Sequence, residues 1–448
     1  MVTPAPLSLI VPSEAAPDEE EDKALPGAPV ALLENAFCLP SLILGAGTLS
    51  NQYNSNDHLS GFAPMRLVRL ALRYGIKAFD TSIYYGPSEI VLGNALRSVK
   101  DEFPRESYQL MTKCGRFGAN SFDYSPAAIR NSVLQSLHRL QTEYLDTVYL
   151  HDVEFVCTPV QAKQTGNHAL ALTEEKAAYG LEEGQEGIIY GEGDQKILDA
   201  FAELRKMKEE GLIRSIGITG YPVATLLRLA LLIFHNPPYE PIDALLSYSH
   251  ISLQNSTFAE FVPHFRQRAK VKQLVAASPF SMGLLTPSIP HWHPAPEGLR
   301  KAVTKARAEY GGDGFIDAAL AYSIRRCGPE DLDVPLVVGV STPAEVHKCV
   351  QVWRKVREKP MSADERQKEA EVLEAFSKAG FLNWSWASPD RTSGDGGNSY
   401  YSVLHEALEK AINEIGADLT IWRDAVGKLE MSKEAKKNDV GEEEEDEG

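Results

Sequence analysis

Two rhythms of apolar residues alternate along this chain. Short runs, Leu42-Ile43-Leu44 and residues 76–79, 108–113, 145–150, 215–218, 242–247, 273–277 and 336–338, are strand-length and bounded by turn residues. Between them apolar positions return at helical spacing. Pro126 opens a helix with Ile129, Val133, Leu137 and Leu140 on one face, and Ile197, Phe201 and Leu204 line another that Gly211 stops. Further helices are read over residues 64–74, 87–96, 223–234, 258–268, 299–326 and 343–353.

Strands alternating with helices imply a parallel sheet, and eight units without a long linker favour closure into an α/β fold of the (β/α)8 TIM barrel type. An open doubly wound sheet would carry Gly-x-Gly-x-x-Gly after its first strand. Gly45-Ala46-Gly47 lacks the third glycine. The barrel is expected over residues 31–358, with an insertion at 159–194 after the fourth strand, where periodicity lapses and the chain would project over the barrel mouth. Residues 359–432 read as a C-terminal helical extension. It opens on a capping box at Ser362 and Glu365 and includes an amphipathic helix built on Val403, Leu404, Leu408, Ala411, Ile412 and Ile415.

Composition changes the picture only at the ends. The formal net charge of −17 looks like a clue to partners, but Glu14 with the acids at 18–22 and the run 442–447 hold twelve acids in two tails. Residues 1–30, rich in Pro and Ala, are read as a disordered acidic arm, and 433–448 as a disordered acidic tail. The remainder has no basic stripe, so neither nucleic acid nor an anionic membrane surface is an expected partner. No run approaches the ~20 apolar residues of a membrane span, and no signal peptide is visible. Five scattered cysteines, Cys38, Cys114, Cys157, Cys327 and Cys349, form no Cys-x-x-Cys pair; they suggest reduced thiols in the cytoplasm and no zinc site.

The candidate chemistry lies where strands end. Phe79-Asp80-Thr81-Ser82-Ile83-Tyr84-Tyr85-Gly86 leads from a strand into a helix, and the next two strands deliver Lys113 and His151. In a barrel these strand ends open into one cup, so Asp80, Tyr85, Lys113 and His151 would converge. Singly, each has a plainer role as cap, packing residue or solvated end. Together they have a chemical logic. A phenol titrates near 10 and is a poor acid or base at neutral pH, an ammonium beside it stabilises the phenolate, a carboxylate holds the ammonium, and an imidazole can fix a substrate oxygen.

These residues, with Ser88-Glu89, Leu92-Gly93, Thr112-Lys113, Tyr149-Leu150-His151, residues 211–217, Ser278-Pro279-Phe280 and Gly283-Leu284-Leu285-Thr286, give the chain a pattern that resembles the aldo-keto reductase family over about residues 42–353. The resemblance implies a nicotinamide-dependent oxidoreductase with an Asp-Tyr-Lys-His tetrad and Tyr85 as general acid or base. It implies dinucleotide contacts from Gly47, Thr48, Asp80, Thr219, Ser278, Phe280, Gly283, Leu285, Gly339, Ser341, Thr342 and Glu345, with no metal. Within the family it leans toward the sugar dehydrogenases of the D-arabinose 1-dehydrogenase and L-galactose dehydrogenase type, which turn an aldose into an aldonolactone. Thr219-Gly220 departs from the usual Ser-Asn that holds the carboxamide, and Ala277 from a frequent stacking Tyr. Members using NADP carry a Lys and, six positions on, an Arg after the eighth strand; Gly339 and Glu345 stand here, so NAD is expected. The alternatives are a general NAD(P)H-dependent aldehyde or ketone reductase and a non-catalytic nucleotide-sensing regulatory subunit. His291 and His293, in a loop that could line the substrate pocket, are candidates for sugar contacts or for surface packing. Beyond a sugar substrate, no protein partner is implied.

Overall fold

The computed structural model describes residues 14–34 and 36–388, with Leu9, Val11 and Pro12. The chain divides into a unit spanning Met1–Arg391 and a second, Thr392–Gly448, which falls outside the described residues, as do the helix expected on Val403 to Ile415 and the acidic tail.

The apolar runs form strands β1 (Leu42–Gly45), β2 (Ala78–Asp80), β3 (Gln109–Cys114), β6 (Leu145–His151), β7 (Ile213–Gly220), β8 (Ala244–Tyr248), β9 (Gln273–Ala277) and β10 (Leu336–Gly339). All pair in parallel and close into one barrel in the order β1-β10-β9-β8-β7-β6-β3-β2. A short hairpin, β4 (Arg116–Gly118) with β5 (Ser121–Phe122), follows β3 and was not apparent in the apolar pattern. The helices are α1 (Asn56–Leu59), α2 (Ala63–Arg73), α3 (Ser88–Ser98), α4 (Pro126–Leu140), α5 (Glu192–Glu209), α6 (Val223–Phe234), α7 (Phe258–Gln267), α8 (Glu297–Tyr310), α9 (Asp313–Cys327), α10 (Pro343–Glu358) and α11 (Ala363–Lys378).

Strand side chains alternate between two buried layers, as the two-residue period requires. One set, with Leu42, Leu44, Leu110, Val148, Ile216, Ile218 and Leu274, packs against the helices. The other, with Ile43, Ala78, Met111, Tyr149, Ala244, Leu246, Val275 and Val337, fills the barrel interior. Burial on both faces is why these strands read as continuous apolar runs.

Two expectations need correction. Residues 299–326 are not one helix: Gly311 and Gly312 take φ of 105° and 65°, a left-handed conformation glycine adopts at little cost, and split it into α8 and α9. The arm over residues 1–30 is not disordered where it is described. Asp22 is fully buried and pairs with Arg66 (2.8 Å) and Arg69 (2.6 Å) of α2, while Asp18 pairs with Arg73 (2.8 Å). Those acids are counter-ions to an arginine row, and composition alone cannot show where an opposite charge will lie. The insertion at 159–194 carries short 3-10 turns that lie against α6 and α7, buries Tyr179, and pairs Gly166 with Ser385. Beyond the barrel, Ser362 and Glu365 form the expected capping box of α11 (3.2 and 2.9 Å).

Packing between α3 and α4 turns on Gly93. A Cβ there would lie 2.4 Å from the Arg139 carbonyl oxygen and 2.8 Å from Leu140 Cα, backbone that cannot swing aside. Gly93→Ala is therefore expected to destabilise the fold by ~1–3 kcal/mol through overpacking, despite Ala's better helix propensity. Chemical denaturation with both proteins checks this, and an unchanged or raised stability would contradict the close approach.

Candidate active site

The parity of the strands builds the site. Ala78, Met111 and Tyr149 face the barrel interior. Two residues further along the same strands stand Asp80, Lys113 and His151, which emerge on the same side at the rim. Tyr85 joins them from the β2–α3 turn, held by its amide on the Ser82 carbonyl (3.0 Å).

The four groups touch as a cluster. Lys113 Nζ donates to Asp80 Oδ1 (2.5 Å) and to the Thr81 carbonyl (2.9 Å), with side-chain exposures of only 3% and 6% for the pair. The same ammonium lies 4.8 Å from the centre of the Tyr85 ring, close enough for its charge to act on the hydroxyl. The His151 ring stands edge-on to Tyr85 with centroids 5.6 Å apart. Its Nδ1 meets Ser82 Oγ (2.9 Å), and its carbonyl accepts from the Tyr124 hydroxyl (2.6 Å). Tyr85 itself is half-buried, so the cluster opens on one side.

Electrostatics set the protonation states. Burial weighs against charge on Lys113, but Asp80 and Tyr85 outweigh it and hold the ammonium above its usual range. Burial also raises the Tyr85 phenol, and Lys113 only partly offsets it, so the phenol ends above its ordinary value rather than below. The sequence expectation of a lowered phenol holds for the sign of the lysine's effect, not for the net. His151 is pushed well below 6.5 by burial and by Lys113 and Arg116, which keeps it neutral at physiological pH.

The residues expected to hold a dinucleotide fall into two regions of the rim. Gly47 lies against the Tyr85 ring, at 3.5 Å from where a Cβ would be. Thr48 Oγ1 donates to the Val340 carbonyl (2.6 Å), and Asn54 Nδ2 donates to Ser341 Oγ (2.9 Å), tying the loops after β1 and β10 together. Thr342 caps α10 by accepting from the Glu345 amide (3.3 Å), and the exposed Glu345 carboxylate accepts from the Ser341 amide (2.5 Å). Gly339 is exposed at the end of β10. Thr219, in register beside His151, is buried with its hydroxyl unpartnered among the described residues. An orphaned hydroxyl beside the cluster, bare glycines and a helix N-terminus fit a polar dinucleotide. Along the β9–α8 loop, Ser278 accepts from the Met282 amide (2.8 Å), Phe280 is half-buried, and Gly283 is left-handed at φ 90°. Leu285 departs from expectation. Its side chain is fully buried in the core and its amide donates to the Phe280 carbonyl (3.1 Å), so neither is free to hold a dinucleotide.

His293 is likewise used internally, between the Ser281 carbonyl (2.8 Å) and the Ala295 amide (3.0 Å). Sequence reasoning missed four neighbours. Tyr53 meets Trp292 edge-on at 5.9 Å, linking the loops after β1 and β9, and lies close enough to Tyr84 and Tyr85 to feel their charge. Asp152, directly after His151, pairs with Arg116 of the β4–β5 hairpin. Asp152's position after His151 was the one available signal; the contacts themselves are long-range.

Comparison with known proteins agrees with this geometry. The model of the aldo/keto reductase family matches residues 41–368. The chain is 33% identical to D-arabinose 1-dehydrogenase of Saccharomyces cerevisiae over 365 residues, 79% of this chain and 96% of that protein. It is 31% identical to L-galactose dehydrogenase of Arabidopsis thaliana over 324 residues, 72% and 86% of the two. Among solved structures, an aldo-keto reductase from Bacillus halodurans shares the fold at TM-score 0.50 and 23% identity, over 76% of this chain and 95% of that one. A tetrad assembled at the rim of an eight-stranded barrel and a family match across that whole barrel lead to one statement: this chain belongs to the aldo-keto reductase family.

Proposed function

We propose that the protein is an NAD-dependent aldose 1-dehydrogenase, oxidising the anomeric carbon of an aldose of the D-arabinose or L-galactose type to an aldonolactone. The observation that carries the chemistry is the contact of one buried ammonium with both Asp80 and the Tyr85 phenol. The aldose assignment rests on the names of the two relatives that match most of this chain.

When bound, the oxidised nicotinamide accepts hydride and brings a positive ring. The protein's own part is proton transfer and positioning. Tyr85, as phenolate, takes the proton of the anomeric hydroxyl, and Lys113 stabilises the anion that burial disfavours. Asp80 keeps Lys113 charged and oriented. Ser82 Oγ accepts from the Tyr84 amide (3.1 Å) and meets His151 Nδ1 (2.9 Å); in the tautomer where Ser82 donates to Nδ1, Nε2 carries the N–H that donates to the anomeric oxygen. Thr219 offers an unpartnered hydroxyl to the carboxamide.

Charge at the β10–α10 turn supports NAD over NADP. A helix N-terminus attracts phosphate, but here Glu345 and Thr342 already take up the amides of Ser341 and Glu345, and the exposed carboxylate would repel a 2′-phosphate while accepting from a free ribose hydroxyl. Retention of all four polar residues argues against a purely regulatory subunit.

Tyr85→Phe is expected to lower kcat for aldose oxidation by roughly 10²–10⁴ with NAD affinity nearly intact. Turnover near the wild-type rate with D-arabinose or L-galactose would reject the assignment, as would a clear preference for aromatic aldehydes with NADPH. Because the phenol sits above its ordinary value and must be deprotonated to act as base, aldose oxidation should rise with pH through the alkaline range, and carbonyl reduction should fall. Lys113 lowers the phenol, so Lys113→Gln should move residual activity to still higher pH; a shift downward in the rate profile would refute its role. Glu345→Lys should raise the NADP-to-NAD ratio of kcat/KM by about tenfold or more, and an unchanged ratio in steady-state assays would remove the charge argument.

A further inference from the structure

Beside His151 stands a second buried ion pair that the proton transfer above does not use. Asp152 adopts a left-handed conformation (φ 55°, ψ 60°), one that Asp tolerates better than most residues. That turn folds its carboxylate back alongside the preceding ring, with Oδ2 3.5 Å from His151 Nε2. Arg116 of the β4–β5 hairpin donates to the same oxygen. Its guanidinium is held over Tyr84 at 4.0 Å and near Phe122 and Phe155 at 5.2 Å each. Tyr248, at the end of β8, also acts on the Asp152 carboxylate. Three loops therefore converge to fix one acid.

The other oxygen, Oδ1, is buried and makes no hydrogen bond of ordinary length among the described residues, Tyr248 being the phenol that acts on the carboxylate, and Asp152 is only 2% exposed. An ion pair serving stability alone gains by satisfying both oxygens, because an unpaired buried acceptor is destabilising. A ligand hydroxyl would give that oxygen the donor it lacks.

Resting on the aldose reading, we propose that Asp152, held by Arg116, is a substrate-binding residue that accepts a hydrogen bond from the sugar hydroxyl on the carbon next to the anomeric one. His151 Nε2 holds the anomeric oxygen, and the carboxylate lies just beyond that nitrogen, one substituent further along the ring. Besides its own hydroxyl, the anomeric carbon is bonded to the ring oxygen and to C2, which bears a hydroxyl. The ring oxygen has no proton to give and a carboxylate only accepts, which leaves the C2 hydroxyl. Burial pushes the acid upward, and Arg116 opposes that push in favour of the carboxylate.

The test compares an aldose with its 2-deoxy counterpart under saturating NAD, in wild type and in Asp152→Asn. Wild type should prefer the intact sugar by about tenfold or more in kcat/KM, the penalty of leaving a built acceptor unpaired. In Asp152→Asn, KM for the intact sugar should rise about tenfold and the discrimination should collapse to within about twofold, with NAD affinity unchanged. An ion pair that merely braces the hairpin would slow both sugars alike and leave their ratio untouched; that result, or wild-type indifference to the 2-hydroxyl, overturns the proposal while leaving the aldose reading standing. Reduction of aldehydes without oxidation of any aldose would overturn both. If Asp152→Asn does not fold, Asp152→Glu, which displaces the carboxylate by one methylene, should show the same collapse, and a preserved ratio there overturns the proposal.

Discussion

The buried contact between Lys113 and Asp80 is the constraint on which the rest depends. Taking two charges out of water is expensive, and such a pair is seldom the most stabilising filling for a core. It persists here at the rim, above an interior plugged by Met111, Tyr149 and Leu246, where the ammonium is shared between a carboxylate and a phenol. Removing either charge would leave its partner buried and uncompensated, a loss of ~3–5 kcal/mol, so geometry and protonation are fixed together.

Around that pair the surroundings assign different protonation states to neighbouring groups. His151 is driven neutral by burial and by the charges of Lys113 and Arg116, and burial holds the Tyr85 phenol in its protonated form. A site with these tendencies can bind a neutral polyol through uncharged donors while keeping one group ready to change its proton. The carboxyl of Asp152, so close to His151, is paired with Arg116, whose own charge adds to the push that keeps the imidazole neutral.

Much of this could be read from the chain because the relevant information is local. Eight strands were visible as short apolar runs, since burial on both faces leaves no polar alternation to confuse them with surface strands. Asp80, Lys113 and His151 were visible because each stands where such a run ends and the chain turns toward a helix or loop. What stayed hidden depends on partners distant in sequence. Nothing near Asp22 announces the arginines of α2, and nothing near Arg116 announces Asp152. Leu285 looked like part of a motif yet belongs to the core, because the motif fixes a loop and not which side chain faces the rim. The break between α8 and α9 could have been found: two adjacent glycines inside a helical pattern are a stop signal that apolar periodicity alone passes over.

The docking of the N-terminal arm carries a practical consequence. Arg66, Arg69 and Arg73 lie one helical turn apart along α2, and Glu19, Glu21, Asp18, Asp22 and Glu102 supply the acids that face them. Shortening the chain to residue 31, a natural choice if the acidic stretch were regarded as dispensable, would remove every one of those acids except Glu102. Three guanidinium groups would then face each other on a helix that also packs against α3 and α10. The leading segment is thus better regarded as an outer wall of the barrel, and any shortened or tagged version should keep it.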